Sequence, residues 1–363
     1  MTELYSHMTS KTNDMPIDMV FTYVDGEDPA HKEKRLRFAS YCHSGEINFD
    51  REPGKSIDML YNNVKEITYS VRSVLKYLPW IRTIYIVTDS QIPPVDQHLI
   101  DSVKVRIVDH SEIIPEEYLP TFNSAVIESC LHRIPGLSEI FLYNNDDYFH
   151  FSPVAKEMLY KIDRTGTDSL ILYAYCAVMR HLRHLVSELL PKDWLIVNSH
   201  SIAISNSFSL LINSCRDLNW HDIIVPSHST FIIRKRTAFR LENELDDAIH
   251  ACRQHRFRTP RRLSYSTLLY TMEKKWHIRD MILKPSAGTD ANLQRTFSFR
   301  RYRNSPETSE LWQKVVESNV PFACLNNIKS FDYESFTATM RKKGLGEPVA
   351  LSTMSGFCRS VDA

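Results

Sequence analysis

The sequence predicts an α/β fold, a mixed sheet flanked by helices with a helical second half, and three observations lead there. Short apolar runs recur through the first 150 residues, and four of them stop at aspartate. A stretch of helical periodicity separates the first two runs. After residue 160 the alternation gives way to less regular sequence with helix-like segments.

Asp18-Met19-Val20-Phe21-Thr22-Tyr23-Val24 reads as a buried strand, closed by the turn composition Asp25-Gly26-Glu27-Asp28-Pro29. Residues 30 to 57 are charged and irregular, with Pro53-Gly54 as a breaker. Val64, Ile67, Val71, Val74, Leu75 and Leu78 then recur at helical spacing up to Pro79, which gives an amphipathic helix. Ile84 to Val87 is the next strand, closed by Thr88-Asp89, and Val103 to Val108 another, closed by Asp109-His110. Asn123 to Arg133 reads as helical, with Asn123 or Ser124 as N-cap, and it feeds the strand Glu139 to Tyr143. That grammar belongs to a Rossmann-like sheet whose working edge lies at the strand C-termini.

In the second half Leu170 to Met179 reads as a buried strand, Leu241 to His250 as an acidic helix and Tyr265 to Tyr270 as an aromatic helical run. A basic cluster, Arg253, His255, Arg256, Arg258, Arg261 and Arg262, lies between the last two. Phe297 to Arg303 interleaves aromatics with arginines.

With 363 residues, 43% of them hydrophobic, the chain can bury a substantial core. Forty-four basic side chains balance 44 acidic ones, so no global field advertises a nucleic-acid or membrane partner. The seven cysteines are scattered and contain no Cys-x-x-Cys, which suits neither a disulfide framework nor a zinc knuckle and points to a reducing cytosol. Residues 1 to 16 lack the apolar centre of a secretory signal, and the run ending at Met179 is too short to span a membrane. The expectation is a cytoplasmic protein, at most peripheral at the inner face of the membrane.

Chemistry is best sought where the strand Glu139 to Tyr143 runs into Asn144-Asn145-Asp146-Asp147. Paired carboxylates at a strand end suit a hard cation such as Mg2+ or Mn2+, which keeps several waters and binds substrate phosphates. A polar strand-to-loop turn is the alternative reading.

Several segments then resemble one family. Ile17 to Pro29 is similar to the first signature region of the Stealth family, bacterial capsular polysaccharide phosphotransferases related to the catalytic part of the animal N-acetylglucosamine-1-phosphotransferase. Tyr69 to Ser73, Leu78 to Arg82, Ile86 to Pro93, Leu119 to Ser124, Ile127-Glu128, His132 to Ile134 and Asn145 to Asp147 resemble the second region almost continuously. His228 with the sequence after it and His255 to Arg258 resemble the third, and Cys324 to Asn327 the fourth.

The resemblance implies a nucleotide-diphosphosugar transferase-like fold and transfer of a sugar-1-phosphate from a nucleotide diphosphosugar, by family analogy UDP-N-acetylhexosamine, to a glycan or phosphoglycan hydroxyl. It implies disordered residues 1–16, one catalytic domain over 17–345 (a nucleotide-sugar half 17–160 and an acceptor half 161–345), and a flexible tail at 346–363. By family position Asp147 is the prime metal ligand. Asn327 stands second, where relatives usually carry Asp, so it supplies an amide oxygen without charge. Arg72 and Arg258 are assigned to phosphate, since guanidinium forks match its oxygens. His228 is the candidate general base or acceptor-orienting group, and Glu128 contacts the acceptor, shares proton transfer or orients a metal-bound water. Asp25, Gly26, Asp28 and Asn123 shape the donor pocket, and Arg301 holds an anionic glycan. A metal-dependent glycosyltransferase that releases nucleoside diphosphate would use the same acids. A polyanion-binding module built on Arg300 to Arg303 is a third reading, opposed by the neutral chain and the lack of an RNA-binding motif.

Overall fold

The computed structural model of the protein describes residues 15–39, 65–156, 199–219, 222–225, 230–259, 262–276, 296–298, 322–324 and 333–347. Its centre is a five-stranded sheet in the order β3-β2-β1-β4-β6, made of β1 (Ile17–Thr22), β2 (Ile84–Thr88), β3 (Val105–Asp109), β4 (Ile140–Asn145) and β6 (Phe231–Arg234). The first four strands are parallel and β6 runs antiparallel to β4. The chain builds outward from β1 through β2 to β3, then returns to place β4 on the other side of β1. That reversal is a topological switch point, and it opens a crevice between the carboxyl ends of β1 and β4.

β1, β2 and β4 form where the apolar runs predict them because both faces are covered, so each run is nearly continuous in hydrophobic residues, while β3 at the sheet edge is partly exposed. Val20, Tyr85, Val87, Val108, Phe141 and Ile233 face one core. Met19, Phe21, Ile84, Ile86, Leu142 and Ile232 face the other. Helices α1 (Pro29–Ala39), α2 (Glu66–Tyr77), α3 (Gln97–Asp101), α4 (His110–Ile113) and α5 (Ser124–Glu128) connect the strands of the first half. The second half adds α6 (Ser199–Ser214), α7 (Lys235–Glu244), α8 (Asp246–Arg253), α9 (Tyr265–Lys275) and α10 (Tyr333–Lys342).

Three helical segments depart from the sequence reading. Part of the stretch read as irregular is α1, which lacks an apolar stripe but starts on a strong local signal: Asp28 Oδ1 accepts from the His31 backbone N–H at 2.8 Å, with Pro29 at the first helical position. The helix read over Asn123 to Arg133 is one short α-helix and a separate 3-10 turn at Leu131–Arg133, joined through Ser129 and Cys130. The acidic helix read around Leu241 to His250 is likewise two helices, α7 and α8, meeting at Leu245. The strand read at Leu170 to Met179 lies outside the described residues. Among those described, no helix is long and apolar enough to cross a membrane.

Ion pairs fix the layers. Asp18, fully buried in β1, receives Arg82 Nε at 2.9 Å, the Ser138 N–H at 2.7 Å and the Thr83 N–H at 3.2 Å. Arg234, ending β6, meets the buried Glu273 of α9 at 2.7 Å, and Thr237 satisfies the second oxygen. Taking either partner from the Arg234–Glu273 pair leaves a charge in the core, which costs about 3–5 kcal/mol.

A second sheet, β5-β8-β7, is made of β5 (Tyr148–His150), β8 (Phe322–Cys324) and β7 (Thr296–Ser298). The fully buried His150 sits on β5, its N–H donating to Ser73 Oγ at 3.0 Å and its Nε2 lying 3.2 Å from Asn144 Nδ2. Burial pushes its imidazole from 6.5 down to about 3. The folded pKa is depressed, so the neutral ring contributes stability that is present above pH 6.5 and lost as pH falls towards 3. Denaturant titrations should lose roughly 2 kcal/mol through this residue between pH 7 and pH 5, a loss absent in His150→Asn. Equal slopes in the two proteins would show that His150 does not titrate on unfolding.

Candidate active site

Four strand ends bring aspartate to one edge of the main sheet, and their partners separate the structural from the chemical. Asp109, at the end of β3, is a helix cap: it accepts from Ser111 N at 2.9 Å and Ser90 N at 2.7 Å, and Glu112 returns the bond in a capping box. Burial would raise its carboxyl, but these serine hydrogen bonds hold it below the usual range. Asp89, beyond β2, is paired with Lys34 at 2.9 Å. Asp25 is clamped by Gln91, which accepts from its N–H at 2.9 Å and donates to its carbonyl at 2.8 Å, while Asp25 Oδ1 caps the Glu27 N–H at 3.1 Å. Asp25, the buried Gly26 and Asp28 therefore form a rigid turn beside the crevice.

The fourth end differs. Thr22 pairs with Asn145, so Asp146 and Asp147 form the turn that follows β4 at the switch point. Burial first, then the carboxylates of Glu66 and Asp147, push the Asp146 carboxyl well above the ordinary range. Glu66 begins α2, and Ser70 one turn later donates to the Asp146 carbonyl at 2.5 Å, which seats the helix on this strand end. Crowded acids that resist ionisation together are a charge pattern that a divalent cation relieves. Among the described residues no three His, Cys, Asp or Glu form a complete ligand set. Mg2+ needs only one or two carboxylates when substrate phosphates supply the rest, so the pair fits that ion.

Tyr143 links this end to a second charged group. Its hydroxyl donates to Asn145 Oδ1 at 2.7 Å, and its ring stacks on Phe231, its register partner on β6. Burial, then Glu128, and further on Asp146 and Asp147, raise the phenol well above its usual value. Tyr143 thus lies in the field of both acidic groups. Glu128, at the end of α5, is itself raised by burial although Arg262 and Arg258 pull it down. Tyr143 therefore links the Asp146 and Asp147 end electrostatically to Glu128 and its two arginines.

The arginines come from the second half, and interlocking of two segments brings them there. Phe122 N–H donates to the Arg256 carbonyl at 2.7 Å, Arg256 Nη1 donates to the Pro120 carbonyl at 2.7 Å, and Phe122 stacks on Phe257. Asn123, fully buried, caps α5 through Ala125 N at 3.2 Å and donates Nδ2 to the carbonyls of His255 and Phe257. Asn123, expected to shape the donor pocket, uses its amide to tie the helix ending in Glu128 to the loop carrying Arg258.

Arg72 also has protein partners. Its fork is bidentate to Asp96 at 2.8 and 2.7 Å, and Nη1 donates to the Leu345 carbonyl at 3.0 Å and to that of Glu347. Contact with a phosphate would require this pair to open. His228, Arg301 and Asn327 lie outside the described residues. Cys324, three residues before Asn327, pairs with Tyr148, the neighbour of Asp147. Glu66, Tyr143 and Arg262 carried no assigned role; the one sequence signal was Glu66 and Ser70 spaced one helical turn apart.

These features define an α/β protein that gathers acids and arginines at the switch point of its sheet. Sequence comparison gives the family. The model described as Stealth protein CR2, conserved region 2, matches residues 60–167. Capsular polysaccharide phosphotransferase fcs1 of Haemophilus influenzae is 31% identical over 320 residues, 87% of this chain and 79% of that protein. Capsular polysaccharide phosphotransferase LcbA of Neisseria meningitidis is 31% identical over 336 residues, 90% of this chain and 82% of its own. The LcbA of Aeromonas hydrophila is 40% identical over 194 residues, 49% of this chain and about half (52%) of that protein. The chain belongs to the Stealth family and is an enzyme of the phosphotransferase type. A solved galactosyltransferase LgtC, in complex with donor and acceptor sugar analogs, covers 93% of this chain and 99% of its own at 10% identity and a TM-score of 0.38, too low to bear on the site.

Proposed function

We propose that the protein transfers a sugar-1-phosphate from a nucleotide diphosphosugar to a glycan hydroxyl in capsular or cell-surface polysaccharide assembly. What supports this reading is that Tyr143, at the sheet's switch point, lies in the field of Asp146 and Asp147 and also of Glu128, which Arg258 and Arg262 influence in turn. Neutralising a diphosphate and deprotonating an acceptor require these two groups side by side. The acceptor oxygen forms a bond to the β-phosphorus as the bridge to the α-phosphate breaks. The product is a phosphodiester, and the nucleoside monophosphate departs.

Glu128 accepts the hydroxyl proton, since a raised carboxyl is a stronger base nearer neutral pH. Arg258 holds a phosphate oxygen, and the turn Asp25-Gly26 walls the nucleotide side. Asp147, with Asp146 beside it and Asn327 as an uncharged third donor, would hold Mg2+ or Mn2+, which screens charge on the diphosphate. His228 orients the acceptor, and Arg301 meets the anionic product chain. UDP-N-acetylhexosamine is the proposed donor, and the cytoplasmic side of the membrane the proposed place of work. A screen of sugar nucleotides should show nucleoside monophosphate release that requires added Mg2+ or Mn2+, with uridine donors best. Release of nucleoside diphosphate alone would defeat the proposal.

A further inference from the structure

A cavity of about 230 Å³ lies beside the Glu128 group, and its walls include Asn123, Cys252, His255, Thr259, Arg262 and Leu263. Arg262 is the cation among these walls whose charge is unmatched. Its Nε is buried and makes no hydrogen bond. The charged side chains acting on it among the described residues are Arg258, of like sign, and Glu128. Glu128 cannot neutralise two guanidinium groups, and its own carboxyl is raised by burial. Cys252 adds no charge, because burial raises its thiol. Burial and Arg258 together bring the Arg262 guanidinium down to about 10, the mark of a cation held without adequate compensation.

The loop does not need this charge to keep its shape. Arg262 N–H donates to the Thr259 carbonyl at 3.1 Å, and Asn206 Nδ2 donates to the Arg262 carbonyl at 2.8 Å, so the main chain is fixed from both sides. An arginine fixed by its backbone, lining a cavity and close to a second arginine, lacks a full counter-charge.

We propose that Arg262 is a second phosphate-binding residue, acting with the neighbouring Arg258 on one phosphate group beside this cavity. Burial of a phosphate there supplies the charge that Glu128 alone cannot, and the pair discriminates phosphate from a neutral sugar hydroxyl. The phosphate has two candidate sources, the donor's diphosphate and the phosphodiester of an acceptor chain. Only that second question rests on the sugar-phosphate transfer reading.

The test is calorimetric titration of inorganic pyrophosphate into the full-length protein, without added metal, for wild type, Arg262→Gln and Arg262→Lys. Affinity should fall ~10- to 100-fold in Arg262→Gln, with Arg262→Lys between, and the Tm of the free glutamine variant should stay level or rise. Unchanged pyrophosphate affinity in Arg262→Gln overturns the proposal. So does a loss of affinity accompanied by a fall in Tm in both variants, which marks a structural role. Steady-state kinetics then separate the sources: a higher KM for sugar nucleotide alone assigns the donor, and one for a phosphodiester-bearing oligosaccharide alone assigns the acceptor. Pyrophosphate binding can be measured even if no sugar nucleotide is turned over, so the two readings fail separately.

Discussion

Asp147→Ala is expected to lower nucleoside monophosphate release about 10³-fold or more at saturating donor, the largest effect of any single change. The residue sits where β4 ends at the switch point, and its charge is felt by both Asp146 and Tyr143. Removing it leaves the sheet pairing between Thr22 and Asn145 intact, so the loss should fall on turnover and on cation dependence rather than on folding. With its neighbour's charge gone, the Asp146 carboxyl should drop towards the ordinary range, since Asp147 is one of the groups that raise it. Asp147→Asn, which keeps the shape but not the charge, should need more cation for the same rate. Turnover within tenfold of wild type would remove Asp147 from the centre.

The second large effect is expected at Glu128. Glu128→Gln should reduce kcat by about 10²–10⁴-fold with little change in donor KM, as loss of a general base does. The wild-type enzyme should lose activity as pH falls through the Glu128 pKa, which burial places above the usual carboxylate range, because the base must be ionised to act. In Glu128→Gln that acidic limb should disappear from the residual rate. A variant that keeps both its kcat and its acidic limb would show that another group takes the proton.

Much of the fold was legible because β1, β2 and β4 are buried on both faces, which leaves continuous apolar runs that end at turn-forming acids. α1 and β6 were harder. α1 is charged all round and betrayed only by Asp28-Pro29, while β6 is four residues long and pairs antiparallel at the sheet edge. The site was legible where chemistry is local, as at Asn145-Asp146-Asp147, and where family resemblance singled out Glu128 and Arg258. It was not legible where a role depends on distant partners. Nothing near Arg72 in sequence announces Asp96 or the carbonyls at 345 and 347 as its partners. Asn123 acts across more than 130 residues to set the loop of Arg258. Tyr143 and Arg262 each looked like one more residue of an apolar strand or a basic run, and only the packing sets them beside Glu128. Asp109 is the reverse case: its spacing to Glu112 already spelled a capping box, so that strand end could have been set aside from sequence alone.

The central claim is that these side chains direct attack to phosphorus and not to the sugar's anomeric carbon. Donor carrying a radioactive β-phosphate, incubated with enzyme, divalent cation and acceptor glycan, measures this directly. Label recovered in the glycan, with unlabelled nucleoside monophosphate released in equal amount, is the predicted result. Label recovered wholly in nucleoside diphosphate, with unlabelled sugar in the glycan, would contradict it.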